Sequence, residues 1–122
     1  MRWLLHKNLT PAVGAALVAR DDVPRPLDEA GVAPDATAAD VLRAAQLQQL
    51  DVITADASLP LAIFEEKLTF NRSVVYLQLE GGEVEQDDAI DRLFARYPRL
   101  TPGRLYTVTG SRVKIRQLPG VR

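Results

Sequence analysis

The sequence predicts an α/β domain with a mostly parallel sheet, helices on both faces and a closing C-terminal β-hairpin. Three observations carry this. Short strand-like runs recur at Trp3-Leu4-Leu5, at the β-branched Leu50-Asp51-Val52-Ile53-Thr54 and at Ser73-Val74-Val75-Tyr76-Leu77-Gln78-Leu79. Each is followed by a stretch with helix-start residues or helical spacing, the alternation that builds parallel sheets. Near the end, Thr109-Gly110-Ser111 separates Leu105–Val108 from Arg112–Ile115, a hairpin pattern.

Taken in order, Trp3–Leu5 reads as a buried strand ending at the turn signal Lys7-Asn8. Thr10-Pro11 supplies an N-cap and a proline at the first helical position, so a helix is expected to about Arg20. Val23-Pro24-Arg25-Pro26-Leu27 holds two prolines, each lacking a ladder donor; it reads as a loop or at best an edge strand. A second helix spans about Ala38 to Gln49, and the strand Leu50–Thr54 leads to Asp56. Ser58 followed by Pro60 opens a third helix, ending near Lys67 or Leu68. Gly81-Gly82 closes the strand after Leu79. Ile90, Leu93, Phe94 and Tyr97 repeat at i, i+3, i+4 and i+7, giving a final amphipathic helix stopped by Pro98.

Length and composition fit one domain over residues 1–122, with 47% hydrophobic and 25% charged residues. A chain of this size buries roughly two-thirds of its unfolded surface, so folding needs no metal or disulfide. The absence of cysteine removes disulfides, zinc ribbons and thiol nucleophiles, and is compatible with a reducing cytosol. A formal net charge of −1 excludes a general electrostatic grip on nucleic acid, leaving only a local basic patch for that purpose. The apolar start is too short for a signal peptide, and no run approaches the roughly 20 residues that span a bilayer. The expected location is cytoplasmic, with no membrane partner.

In such sheets ligands bind outside the carboxyl ends of the strands, which directs attention to His6-Lys7-Asn8 and Asp56-Ala57-Ser58. Asp56 reads either as a turn or cap residue or as a ligand at that edge. Ser58 reads as an ordinary residue of a helix N-terminus. Thr37-Ala38-Ala39-Asp40 fits a capping box, yet Asp40 also heads the stripe Asp40, Ala44, Leu47, which would turn it inward as a metal ligand would be. His6, the single histidine, and Lys7 read as structural or solvated unless the strand-end site uses them.

The opening Arg2-Trp3-Leu4-Leu5-His6-Lys7-Asn8-Leu9-Thr10 resembles the start of a small standalone PIN-like family of prokaryotic proteins, where the segment reads L-L-D-E-N-L-S/T. Ala36-Thr37-Ala38-Ala39-Asp40-Val41-Leu42 is similar to its A-S-D-E-E-I-L helix start, and Asp51–Leu59 to its V-T-x-D-x-D-F strand end. The resemblance implies a PIN fold and a nuclease centre in which three or four carboxylates hold Mg²⁺ or Mn²⁺ and activate water for phosphodiester hydrolysis. It also implies a ribonuclease or toxin half of a toxin–antitoxin-like pair, with RNA as substrate, an antitoxin-like protein as partner and self-association into a homodimer.

Carried over residue by residue, Asp40 and Asp56 match two of the metal-binding acids. His6 stands at the first-strand acid, Lys7 at the acidic position after it, and Ser58 at the second acid of the strand-end motif. The implied catalytic set is therefore Asp40, Asp56, His6 and Ser58, with Lys7 and Asn8 toward nucleic acid. Replacing two carboxylates by imidazole and hydroxyl removes two negative charges and weakens Mg²⁺ binding, while a histidine could favour Mn²⁺, Ni²⁺ or Zn²⁺. The expectation is a weakened or inactive nuclease; the alternative is a non-catalytic interaction module on the same fold. A more remote resemblance, of Asp56-Ala57-Ser58-Leu59-Pro60 to a response-regulator receiver, lacks the acidic pair after the first strand, which here reads His6-Lys7.

Overall fold

The four residues of Asp51–Thr54 are all buried, as in a strand covered on both faces. Around it the structure, a computed structural model, describes residues 1–120. The elements are β1 (Arg2–Leu5), α1 (Pro11–Ala19), β2 (Val23–Pro26), α2 (Ala38–Gln48), β3 (Asp51–Thr54), α3 (Ser58–Glu65), β4 (Val74–Leu77), α4 (Glu83–Arg96), β5 (Arg104–Val108) and β6 (Val113–Gln117). One sheet runs β2-β1-β3-β4-β5-β6, parallel except for the antiparallel β5–β6 hairpin. The expected fold class is what forms. No helix among the described residues is long and apolar enough to cross a membrane.

Strand alternation divides the core in two. Leu4, Val52, Val74 and Leu105 face α2 and α3, packing with Val41, Leu42, Ala45, Leu59 and Ile63. Trp3, Ile53, Val75, Tyr106 and Val108 face the other way, against Val13 and Leu17 of α1 and Ala89, Ile90, Leu93 and Phe94 of α4.

The position of α4 departs from the uniform crossover hand expected of parallel sheets. From β1 the chain moves one way to β2 through α1, then back past β1 to β3 and on to β4 through α2 and α3 on the opposite face. Those three crossovers share one hand. α4 leads from β4 to β5 in the same direction as α3, yet lies on the α1 face, so its crossover has the opposite hand. The usual preference is strong, and what offsets it here is packing on that face. Trp3 is fully buried and meets Phe94 edge-on at 6.3 Å between ring centroids. Its indole N–H donates to Asp22 at 3.0 Å, so the ring enters the core with no unpaired polar atom.

A polar clamp completes the contact. Gln86 is buried on α4, and its side chain accepts from Thr10 N at 2.8 Å and donates to the Asn8 carbonyl at 3.0 Å. Asn8 holds a left-handed backbone, φ 60°, which turns the chain from β1 toward α1. The loop at the carboxyl end of β1 is thereby tied to a helix more than seventy residues away.

Two expectations are corrected. Val23–Pro26 is a paired edge strand rather than a loop: Val23 N donates to the Met1 carbonyl, and alternation points the proline nitrogens at 24 and 26 away from β1. The stripe Asp40, Ala44, Leu47 does not turn inward as a whole: Ala44 is half-buried against the core, but Asp40 is exposed and Leu47 is 79% exposed. The buried face of α2 is Val41, Leu42 and Ala45. The i, i+4, i+7 spacing fits either face, and the larger apolar pair at 41 and 42 takes the core.

Replacing Gln86 by Leu should remove both clamp bonds and leave the Asn8 carbonyl and Thr10 amide unpaired. The expected loss is about 2–4 kcal/mol in urea unfolding. A loss below about 0.5 kcal/mol would show that the clamp contributes nothing.

Candidate functional site

β1 and β3 are neighbours at the point where strand order reverses, which is where open α/β sheets hold their ligands. Main-chain pairing continues beyond both strands: His6 N donates to Ile53 O at 2.9 Å and Ala55 N to Lys7 O at 3.0 Å. His6, Lys7 and Asp56 are therefore fixed by backbone at the carboxyl edge.

Thr54, fully buried at the end of β3, organises the side chains. Its hydroxyl oxygen accepts from Asp56 N at 3.0 Å and lies 2.9 Å from His6 Nδ1. With the imidazole proton on Nε2, the Thr54 hydroxyl donates to Nδ1 and both contacts are satisfied. Burial, then the positive charge of Lys7, lowers the His6 pKa to about 4, against an opposing pull from Asp56. At neutral pH His6 is an uncharged ring.

Asp56 accepts from Ser58 N at 2.9 Å, so its carboxylate caps the start of α3. That backbone bond is the main reason its pKa lies below the usual value; burial opposes it, and the Ser58 side chain, His6 and Lys7 add to it. Ser58 is exposed at the first turn of α3.

Asp40 sits at the start of α2, which also opens on the carboxyl edge, on the face shared with α3. Thr37 Oγ1 accepts from Asp40 N at 3.2 Å, half of the capping box. The carboxylate does not reach back to Thr37; it pairs with Arg43 at 2.9 Å, both exposed. Asp40 borders an open cleft of about 430 Å³ that includes Val32 and Ala44. His6, Lys7 and Asn8 border another of about 440 Å³ that also includes Val32. The structure thus joins His6, Lys7, Thr54, Asp56 and Ser58 at one edge and places Asp40 one cleft away.

These residues do not fit the hard-cation site that the resemblance implies. Among the described residues, one set of three acidic or imidazole ligand atoms lies within 4.8 Å, and it is Asp87, Asp88 and Asp91 on the exposed face of α4, without His6, Asp40 or Asp56. At the β1–β3 edge, His6 Nδ1 and one Asp56 oxygen are already engaged. A single carboxylate beside Lys7 supplies neither the oxygen count nor the charge that Mg²⁺ requires.

Gln86 is the contributor that residue reading missed. Its signal was present, since Gln86 precedes Ala89, Ile90 and Leu93 at i+3, i+4 and i+7 and so lies on the buried stripe of α4.

For His6 the folded pKa is depressed below its unfolded value of 6.5, so between those pKa values the unfolded chain binds the extra proton. Stability at this residue is complete above pH 6.5 and falls as pH drops toward about 4. The His6 ring resonances should titrate near pH 4 in NMR, and the loss of urea midpoint between neutral pH and pH 4 should shrink in His6→Gln. Titration of the ring at its ordinary pKa would refute the buried, neutral assignment.

Comparison of the chain with protein-family models, curated proteins and solved structures finds no match.

Proposed function

We propose that this chain is a PIN-like domain whose nuclease centre has lapsed and which works as a non-catalytic interaction module. The observation that carries the reading is the neutral His6 ring, bonded to Thr54 where the family resemblance expects a metal-binding carboxylate. Ser58 at the second substituted position and the Asp40–Arg43 ion pair support it. The alternative within the same family is a weakly active Mg²⁺- or Mn²⁺-dependent ribonuclease using Asp40 and Asp56.

The module's partner is proposed to be a small antitoxin-like protein, bound without any requirement for metal. That choice fits the sheet, in which β6 is the terminal strand and, among the described strands, pairs with β5.

The test is divalent-ion titration with cleavage of a generic structured RNA. Wild type should neither bind Mg²⁺ in the physiological range nor cleave. His6→Asp with Ser58→Asp restores two carboxylates and should tighten Mn²⁺ or Mg²⁺ binding by at least about tenfold, since adjacent charges interact by several kcal/mol even at an effective dielectric near 20. Robust Mg²⁺-dependent cleavage by wild type, abolished in Asp56→Asn, would establish the enzyme instead.

A further inference from the structure

We infer a second binding site, at the amino edge of the sheet, for a phosphate-bearing small molecule of nucleotide size. There Arg20, Arg72 and Arg99 line one open cleft of about 380 Å³, far from the β1–β3 carboxyl edge. The volume lies in the range of small-ligand sites. Asp51 is the single carboxylate among the lining residues, and it is spent internally. One of its oxygens accepts from both Ser73 N and Ser73 Oγ at 3.0 Å, and the other meets Arg72 at 3.3 Å. Three guanidinium groups thus share the cleft; Arg72 pairs with Asp51 and Arg20 with Asp22, while Arg99 has no ion pair among the described residues.

Each arginine is placed differently. Arg20 is held flat, its guanidinium carbon 3.3 Å from the centroid of the Phe94 ring and its Nε 3.2 Å from Asp22. Arg72 is tethered through one terminal nitrogen to Asp51, while its Nε is shielded from solvent and has no hydrogen-bond partner. That Nε is closed to the cleft, so a ligand would meet the terminal nitrogens of Arg72. Arg99 makes no ion pair with any described residue. The dipole at the C-terminus of α1 accounts for Arg20, its C-cap, but for neither Arg72, which precedes β4, nor Arg99, which follows α4.

The chemistry of the walls sets the ligand class. Guanidinium forks suit the oxygens of phosphate, and two or three of them suit a diphosphate better than a single carboxylate. Pro98, Leu100 and Pro102 add apolar surface to the lining, which suits the ring of a nucleoside. A nucleoside diphosphate meets both demands.

Isothermal titration of the full chain with pyrophosphate, ADP and adenosine, in metal-free buffer, tests the site. Pyrophosphate and ADP should bind below millimolar, ADP more tightly, and adenosine not measurably. Arg99→Gln removes a charged donor from an exposed position without touching the core, and should weaken ADP by about tenfold. Arg72→Lys keeps the charge beside Asp51 but loses the fork, and should weaken it as well. Lys7→Gln, at the opposite edge, should leave ADP binding unchanged. Absence of pyrophosphate and ADP binding at millimolar concentration overturns the inference. So does equal affinity in wild type and Arg99→Gln, or loss of binding in Lys7→Gln. None of these results depends on whether the carboxyl edge is catalytic.

Discussion

The packing of α4 against α1 is the contact on which the rest of this structure depends. It sets the hand of the last parallel crossover and closes the core over Trp3. It also brings Gln86 to the β1–α1 loop. Without Gln86 the loop after β1 would have to satisfy the Asn8 carbonyl and Thr10 amide with water, and a solvated loop would loosen the backbone that carries His6 and Lys7. The set of the loop beside the carboxyl edge is therefore an outcome of apolar packing on one face of the sheet.

Charge is distributed with equal consequence. The carboxyl edge is close to neutral, with an uncharged imidazole, one capping carboxylate and Lys7. The acids of α4 are displayed on its solvent face, where Asp87, Asp88 and Asp91 stand exposed. The amino edge concentrates guanidinium groups around a carboxylate already bound by Ser73. A chain with formal net charge −1 thus carries local fields of both signs.

Most of the architecture was legible because its periodicities are clean. Val52-Ile53 and Val74-Val75 could only be interior strands, and Thr10-Pro11 and Thr37 mark helix starts that form where read. The errors came where one pattern serves two geometries. Prolines at 24 and 26 argue against a strand unless both nitrogens face outward, and register decides that, not composition. Asp40 at the head of an i, i+4, i+7 stripe has an equally good stripe beside it at 41 and 45, and only the neighbouring helix selects between them. At the site, sequence brought His6, Asp56 and Ser58 to one edge through the strand-end rule. It did not reveal that Thr54 would join His6 to the Asp56 backbone, because that depends on β1 and β3 being adjacent and in register. The hand of the α4 crossover left no mark in local sequence at all.

The clamp at Gln86 has a meaning in time as well as in space. Its two bonds join residues 76 and 78 positions apart. A chain emerging from the ribosome can pair β1 with β3 once little more than fifty residues are out, and α2 and α3 can dock as they appear. The loop after β1 must wait for α4, and closing so long a span carries an entropic penalty that nearer contacts avoid. The Asn8–Thr10 loop is consequently tied down well after the β1–β3 pairing beside it, and until α4 arrives its polar groups remain open to whatever else is nearby.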